Sequence, residues 1–144
     1  MIIDVQQLFS DAQALTASAD STNYIDFSSD RNVGVGEPLV VVVTLDVAAD
    51  DTNADETYVV NLEVDDNSSF SSGSVVGSAT IAAGDPAGTQ YVIPVPADLR
   101  MEQYAQLQYV LGGTTPSVTV TASLCPHDGV QNYSSYAKGY TISG

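Results

Sequence analysis

The chain has 144 residues, enough for one domain with a single core, and 44% of them are apolar, which excludes a disordered polymer. Its 18 acidic residues face only three basic ones, Arg31, Arg100 and Lys138, for a net charge of −15. Nucleic acids and anionic membranes both demand clusters of Lys and Arg, so neither is an expected partner; the balance favours solubility, residence in salt or a basic partner protein.

No stretch approaches the ~18 uninterrupted apolar residues of a membrane span. The start, MIIDVQQLF, has no basic residue ahead of its apolar part and an early Asp4, so no secretory leader is expected there. Cys125 is the single cysteine, which precludes an intrachain disulfide and fits synthesis in a reducing cytoplasm.

In chain order, DVQQLFSDAQAL places Val5, Leu8, Phe9, Ala12 and Leu15 at helical spacing, while the TASADST that follows favours turn or strand. The segment reads as a short helix or an extended arm. NYIDFSS is a short strand around Tyr24 to Phe27, and DRNVGVGEP is a glycine-punctuated loop. Its G-x-G lacks the third glycine and the lysine of a phosphate cradle. PLVVVVTLDV, residues 38–47, is the strongest strand. Its nearly continuous apolar start predicts cover on both faces, with Val43, Leu45 and Val47 pointing one way toward its end.

The acidic turn DDTNADE puts Asp51, Asn53 and Asp55 at the 1, 3, 5 spacing of a calcium loop with Glu56 beside them. The sixth position is Glu56 where glycine is required, and the twelfth is Leu62 where glutamate is required. The turn is therefore no EF-hand; it is a solvated acidic loop, or a non-standard calcium site. YVVNLEVDD alternates cleanly, NSSFSSGS is a polar loop carrying a lone Phe70, and VVGSATIAA is a weaker strand. In TQYVIPVP, Tyr91, Ile93 and Val95 share a face, and Pro94 marks an edge strand.

LQYVLGGTTPSVTVTASL, residues 107–124, reads as a hairpin around GGTTP without a single charge. Ala105, Leu107, Tyr109 and Leu111 alternate with Gln106 and Gln108, and Val118, Val120, Ala122 and Leu124 alternate with Thr119, Thr121 and Ser123. An uncharged outward face lets another surface approach without desolvating charge, and Thr-rich strands are also ordinary. The ending, CPHDGVQNYSSYAKGYTISG, carries Tyr133, Tyr136, Tyr140 and Ile142, rigid amphipathic groups suited to closing the sandwich or meeting a neighbour.

The strand-length runs number seven or eight, which predicts an all-β, single-domain antiparallel sandwich. Val43, Leu45, Leu62, Val64, Ile93, Leu107, Tyr109, Leu111, Val118, Val120 and Leu124 are its expected core. The catalytic inventory is poor. Cys125, His127 and Asp128 are sequence neighbours around a turn, whereas catalytic groups converge from separate elements. One Cys and one His do not furnish four zinc ligands. Trp is absent, which leaves little to stack on sugars. No enzyme activity and no cofactor are expected.

Four stretches carry a family resemblance: MIIDVQQLFSDAQALTASADSTNYIDF, RNVGVGEPLVVVV, YAQLQYVLGGTTPSVTVTASL and YSSYAKGYTIS. Together they resemble the small jelly-roll cement proteins of tailed phages, typified by a Bordetella phage cement protein, almost end to end. DDTNADE and CPHDG are not part of that likeness. The resemblance implies a jelly-roll sandwich over 24–126, behind an N-terminal helix or arm over 1–23 and ahead of an interface tail over 127–144. It implies a virion protein, made in the host cytoplasm and seated on the outer capsid surface. There it would bind the major capsid protein and staple neighbouring capsomers against internal DNA pressure. The family example suggests a homodimer; a trimer is the other possibility. Expected interface residues are Phe9, Gln106, Gln108, Thr119, Thr121, Tyr133, Tyr136, Tyr140 and Ile142. The competing expectation is a carbohydrate- or calcium-binding adhesin or receptor-binding module built on Asp51, Asn53, Asp55 and Glu56.

Overall fold

A computed structural model describes residues 5–28, 38–96 and 102–127. Among these residues a 3-10 turn at Val5–Gln7 is followed by nine strands: β1 (Leu8–Leu15), β2 (Ala19–Asp20), β3 (Ile25–Asp26), β4 (Leu39–Val47), β5 (Thr57–Asp65), β6 (Ser74–Ile81), β7 (Gln90–Pro94), β8 (Tyr104–Gly112) and β9 (Val118–Pro126). One sheet has the order β1-β9-β4-β7 and the other β2-β8-β5-β6, with β3 also pairing β8; every pairing is antiparallel. Apart from β2–β3 and the β5–β6 hairpin, each connection passes from one sheet to the other. With β2 and β3 taken as one interrupted strand, this is the strand order of an eight-stranded jelly roll.

The alternating strands supply the core between the sheets. Val41, Val43 and Leu45 of β4 meet Tyr58, Val60, Leu62 and Val64 of β5, Leu107 and Tyr109 of β8, and Val118, Val120 and Ala122 of β9. Burying each such side chain is worth about 1.5–3 kcal/mol. All the expected core residues are buried except Leu111, which packs partly exposed against the cluster. Tyr109 carries a hydroxyl into the interior, where it bonds Ser10 Oγ at 2.8 Å. Burial pushes that phenol up to about 12, against the opposing effect of the Ser10 hydrogen bond. The run Val40–Val43 is buried on both faces: Val41 and Val43 enter the main core, and Val40 and Val42 form a second cluster with Cys125. β7 lies at the end of its sheet, where Pro94 costs no central ladder bond.

Three expectations are corrected. The N-terminal segment is no helix: Leu8–Leu15 is an edge strand paired with β9, so the sheets include residues ahead of Tyr24. Its register shifts between Leu8 and Ser10 and again between Ser10 and Gln13, with Ala12 at φ 44°. These irregularities stretch a two-residue alternation into a spacing that imitates a helical face. Val47 does not face inward with Val43 and Leu45. A register shift between Leu45 and Val47 turns it out, leaving it 56% exposed. Finally, residues 107–124 are not a hairpin. β8 pairs β5, β2 and β3, whereas β9 pairs β4 and β1, so the segment bridges the two sheets. Period-two patterning marks which residues point inward, and it is identical whether two strands pair with each other or cross the sandwich.

Candidate functional site

The crossing of β8 and β9 separates the uncharged residues that the sequence groups together. Gln106 and Gln108 lie on the outer face of the β2-β8-β5-β6 sheet, and Thr119 and Thr121 belong to β9 in the other sheet. On the first face a polar row runs over three strands. Ser78 Oγ donates to Asn61 Oδ1 at 2.9 Å, and Asn61 Nδ2 donates to Gln108 Oε1 at 3.3 Å. Gln106 is buried and donates to Glu63 Oε2 at 2.8 Å. Val75 and Val110 are exposed on strands β6 and β8 of this sheet. On the second face, Thr121 Oγ1 accepts from the Ala12 amide at 3.0 Å and donates to Asp46 Oδ2 at 2.6 Å. Phe9 contributes to neither face: it is fully buried between the sheets, which removes it from the set of exposed contact residues. Tyr133, Tyr136, Tyr140 and Ile142 lie outside the described residues.

The acidic turn works as a clamp. Asp55 accepts from the Thr114 amide and the Thr114 hydroxyl, both at 2.9 Å. Those bonds, the backbone one first, hold its carboxyl below the usual range. Burial alone would raise Glu56, but donors from the Asn53 side chain and from the Asn53 and Asp55 amides overcome it and hold this carboxyl low as well. Asn53 Nδ2 also reaches Thr114 O at 2.8 Å. Asp51 packs instead toward Gly84. Among the described residues no three His, Cys, Asp or Glu side chains converge to hold a metal ion. Asn53 and Asp55 together tie the β4–β5 loop to the β8–β9 loop. Tyr58 completes the tie, its hydroxyl donating to Asp50 O at 2.9 Å and accepting from the Ser117 amide at 3.1 Å.

At the opposite end of β5 and β8 the structure assembles a feature that the sequence scatters over three segments. Tyr24, just before β3, is half exposed and packs edge-on against Phe70 at 6.1 Å and Tyr104 at 5.7 Å between ring centroids. Phe70 sits in the β5–β6 loop at φ 50°. The loop is pinned by Asp65, which accepts from the Ser72 amide at 2.9 Å, the Ser72 hydroxyl at 3.1 Å and the Asn67 amide at 3.3 Å. Led by the Ser72 amide, and with the Asp66 side chain contributing, hydrogen bonds outweigh burial and lower the Asp65 carboxyl. Beside it is a cavity of about 160 Å³ lined by Val64, Asp65, Asp66, Ser72, Ser74 and Glu102. A lone Phe in a Ser-rich loop was the only local sign of this cluster; its partners are fixed by strand register.

Cys125 is buried as an apolar residue against Val40 and Val42, and His127 is exposed just past β9. No helix among the described residues is long and apolar enough to cross a membrane.

The described residues thus form a two-sheet jelly roll with hydrogen-bonded polar groups on its outer faces and an aromatic cluster at one end. A family model, Bbp16, matches residues 9–124, from the first strand to the last. The chain belongs to the Bbp16 family, consistent with a Bordetella phage protein family. No curated protein matches the chain.

Proposed function

We propose that the protein is a structural component of a phage virion, a cement protein without catalytic activity that binds the outside of the assembled head and staples neighbouring capsomers. Membership of the Bbp16 family from β1 to β9 is the observation that carries this reading. The net charge of −15 supports it, because such a chain is repelled by packaged DNA and suits the outer surface. So do the outer sheet faces, where Gln, Asn, Ser and Thr outnumber carboxylates and a second protein surface can settle at low desolvation cost.

The mechanism is linkage. A cement that binds the assembled lattice better than free coat subunits shifts the equilibrium toward the intact shell. Many copies engaged at once add avidity, so internal pressure must break coat and cement contacts together. The partner is the major capsid protein, and self-association as a homodimer places two binding faces on one unit. The test is mass spectrometry of purified particles, together with binding assays on assembled capsids and on unassembled coat subunits. Stoichiometric presence, preference for capsids and loss of DNA from stripped particles are expected. Absence from particles, or equal affinity for both forms of coat protein, overturns the reading.

A further inference from the structure

We infer that the side of the sandwich where β6 and β7 end their sheets is a self-association surface, on which a second copy of this chain docks edge to edge about a two-fold axis. Each of these strands has a strand partner on one side only, so its outer backbone N–H and C=O groups are open to pairing. Gly77 draws the two edges into one strip: a Cβ there would stand 2.7 Å from Ile93 Cγ2. The core is also incompletely closed here. Of the seven partly buried apolar residues packed against it, Val76, Ala79, Ala83 and Tyr91 lie on β6, on β7 or between them. Val75 on β6 and Val92 on β7 are 54% and 40% exposed beside the strip.

Charge selects the occupant. A two-fold contact sets a patch against its own image, so each carboxylate in it would meet a like charge. The open side opposite, formed by β1, β2 and β3, carries the exposed Asp11, Asp20 and Asp26. By contrast β6 and β7 carry no charged residue, and Asp85 is the only one between Asp66 and Asp98. Its carboxylate accepts from the Tyr91 hydroxyl. In a chain of net charge −15, two copies approach here with least repulsion, whereas a basic partner is drawn to the acidic surfaces instead. The opposite edges are also poorer templates, because β1 is broken by two register shifts and β2 is two residues long. Pro94 removes one donor from β7, and a register shift at Val76 leaves Gly77–Ile81 as the regular stretch for strand addition.

That such a dimer joins two coat subunits rests on the cement reading; the contact surface does not. The test is analytical ultracentrifugation of the full chain and of variants that share one charge change: Val75→Asp and Val92→Asp on the strip, and Val47→Asp and Val110→Asp at likewise exposed positions away from it. A concentration-dependent dimer is expected, tightening as salt screens the repulsion. Val75→Asp and Val92→Asp should each raise the dimer Kd by about 10-fold or more, as like charges meet across the two-fold axis, and the other two should raise it far less. Amide exchange on the unaltered chain gives a second reading and decides the matter where a strip variant fails to fold: residues 77–81 should exchange more slowly at high protein concentration than at low. A chain that stays monomeric, a dimer as tight in folded Val75→Asp and Val92→Asp as in the original, equal loss in Val110→Asp, or exchange at 77–81 independent of concentration would sink the proposal. A protein present on particles but monomeric in solution refutes this surface alone; a dimer missing from particles refutes the cement reading alone.

Discussion

Asp65 shows how a single buried carboxylate is held by backbone amides and a hydroxyl. Asp65 is 3% exposed, and three donors from Ser72 and Asn67 converge on it. Its carboxyl is lowered from the ordinary 3.8. A lowered folded pKa stabilises the fold at pH values above the unfolded value, and that contribution is lost as pH falls through the folded one. Unfolding in urea should therefore show stability falling below about pH 4, and Asp65→Asn should flatten that acid limb while lowering stability at neutral pH. A limb unchanged in Asp65→Asn would mean that other carboxylates carry the acid sensitivity.

Elements are set apart here by their connections. The β8–β9 loop has to carry the chain across the sandwich, and Gly113 does so at φ 95° with Asp55 O only 2.4 Å from where a Cβ would stand. Gly88, in the β6–β7 connection, has a similar φ of 90° and nothing within 4 Å. The pair separates backbone strain from crowding. Gly88→Ala should cost about 1–3 kcal/mol, the usual range for a strained φ. Gly113→Ala should cost measurably more, because the carbonyl it meets is backbone and is held by the Asp55–Thr114 clamp. Chemical denaturation of the two variants reads the difference, and equal costs would mean that the crossing loop yields freely. The crossing also explains why Gln106 and Thr121 face opposite sides of the molecule although their strands are nearly continuous in sequence.

Over the whole molecule, charge is the dominant long-range effect. A net charge of −15 on 144 residues favours solubility and opposes the compact state by self-repulsion. Raising salt from about 0.01 M to about 1 M shortens the screening length from about 30 Å to about 3 Å. The melting temperature should rise over that range, and calorimetry checks it; a fall would mean that local hydrogen-bonded clamps, not global repulsion, govern salt sensitivity. Binding to a basic partner should move the opposite way and weaken with salt, so stability and attachment are distinguishable by their sign.

Much of the sandwich was legible from local pattern. Val60, Leu62 and Val64 alternate with Asn61 and Glu63, which assigns inside and outside without any knowledge of partners, and Pro94 placed its strand at an edge. The double burial of Val40–Val43 was likewise readable from an uninterrupted apolar run. Composition alone set the charge and kept nucleic acid out of the expected partners. Other features depend on which strand lies beside which, information that resides in long-range pairing and in no single segment. Register shifts disguised β1 as a helix and moved Phe9 into the core, because an irregular edge strand can imitate helical spacing. Asp55 is clamped only because the fold brings Thr114 to it from the far side of β8. Tyr24, Phe70 and Tyr104 meet because β3 and β5 both pair with β8. Alternation is a property of neighbours in the chain and survives in the sequence, whereas a site is a property of neighbours in space and is made by the fold.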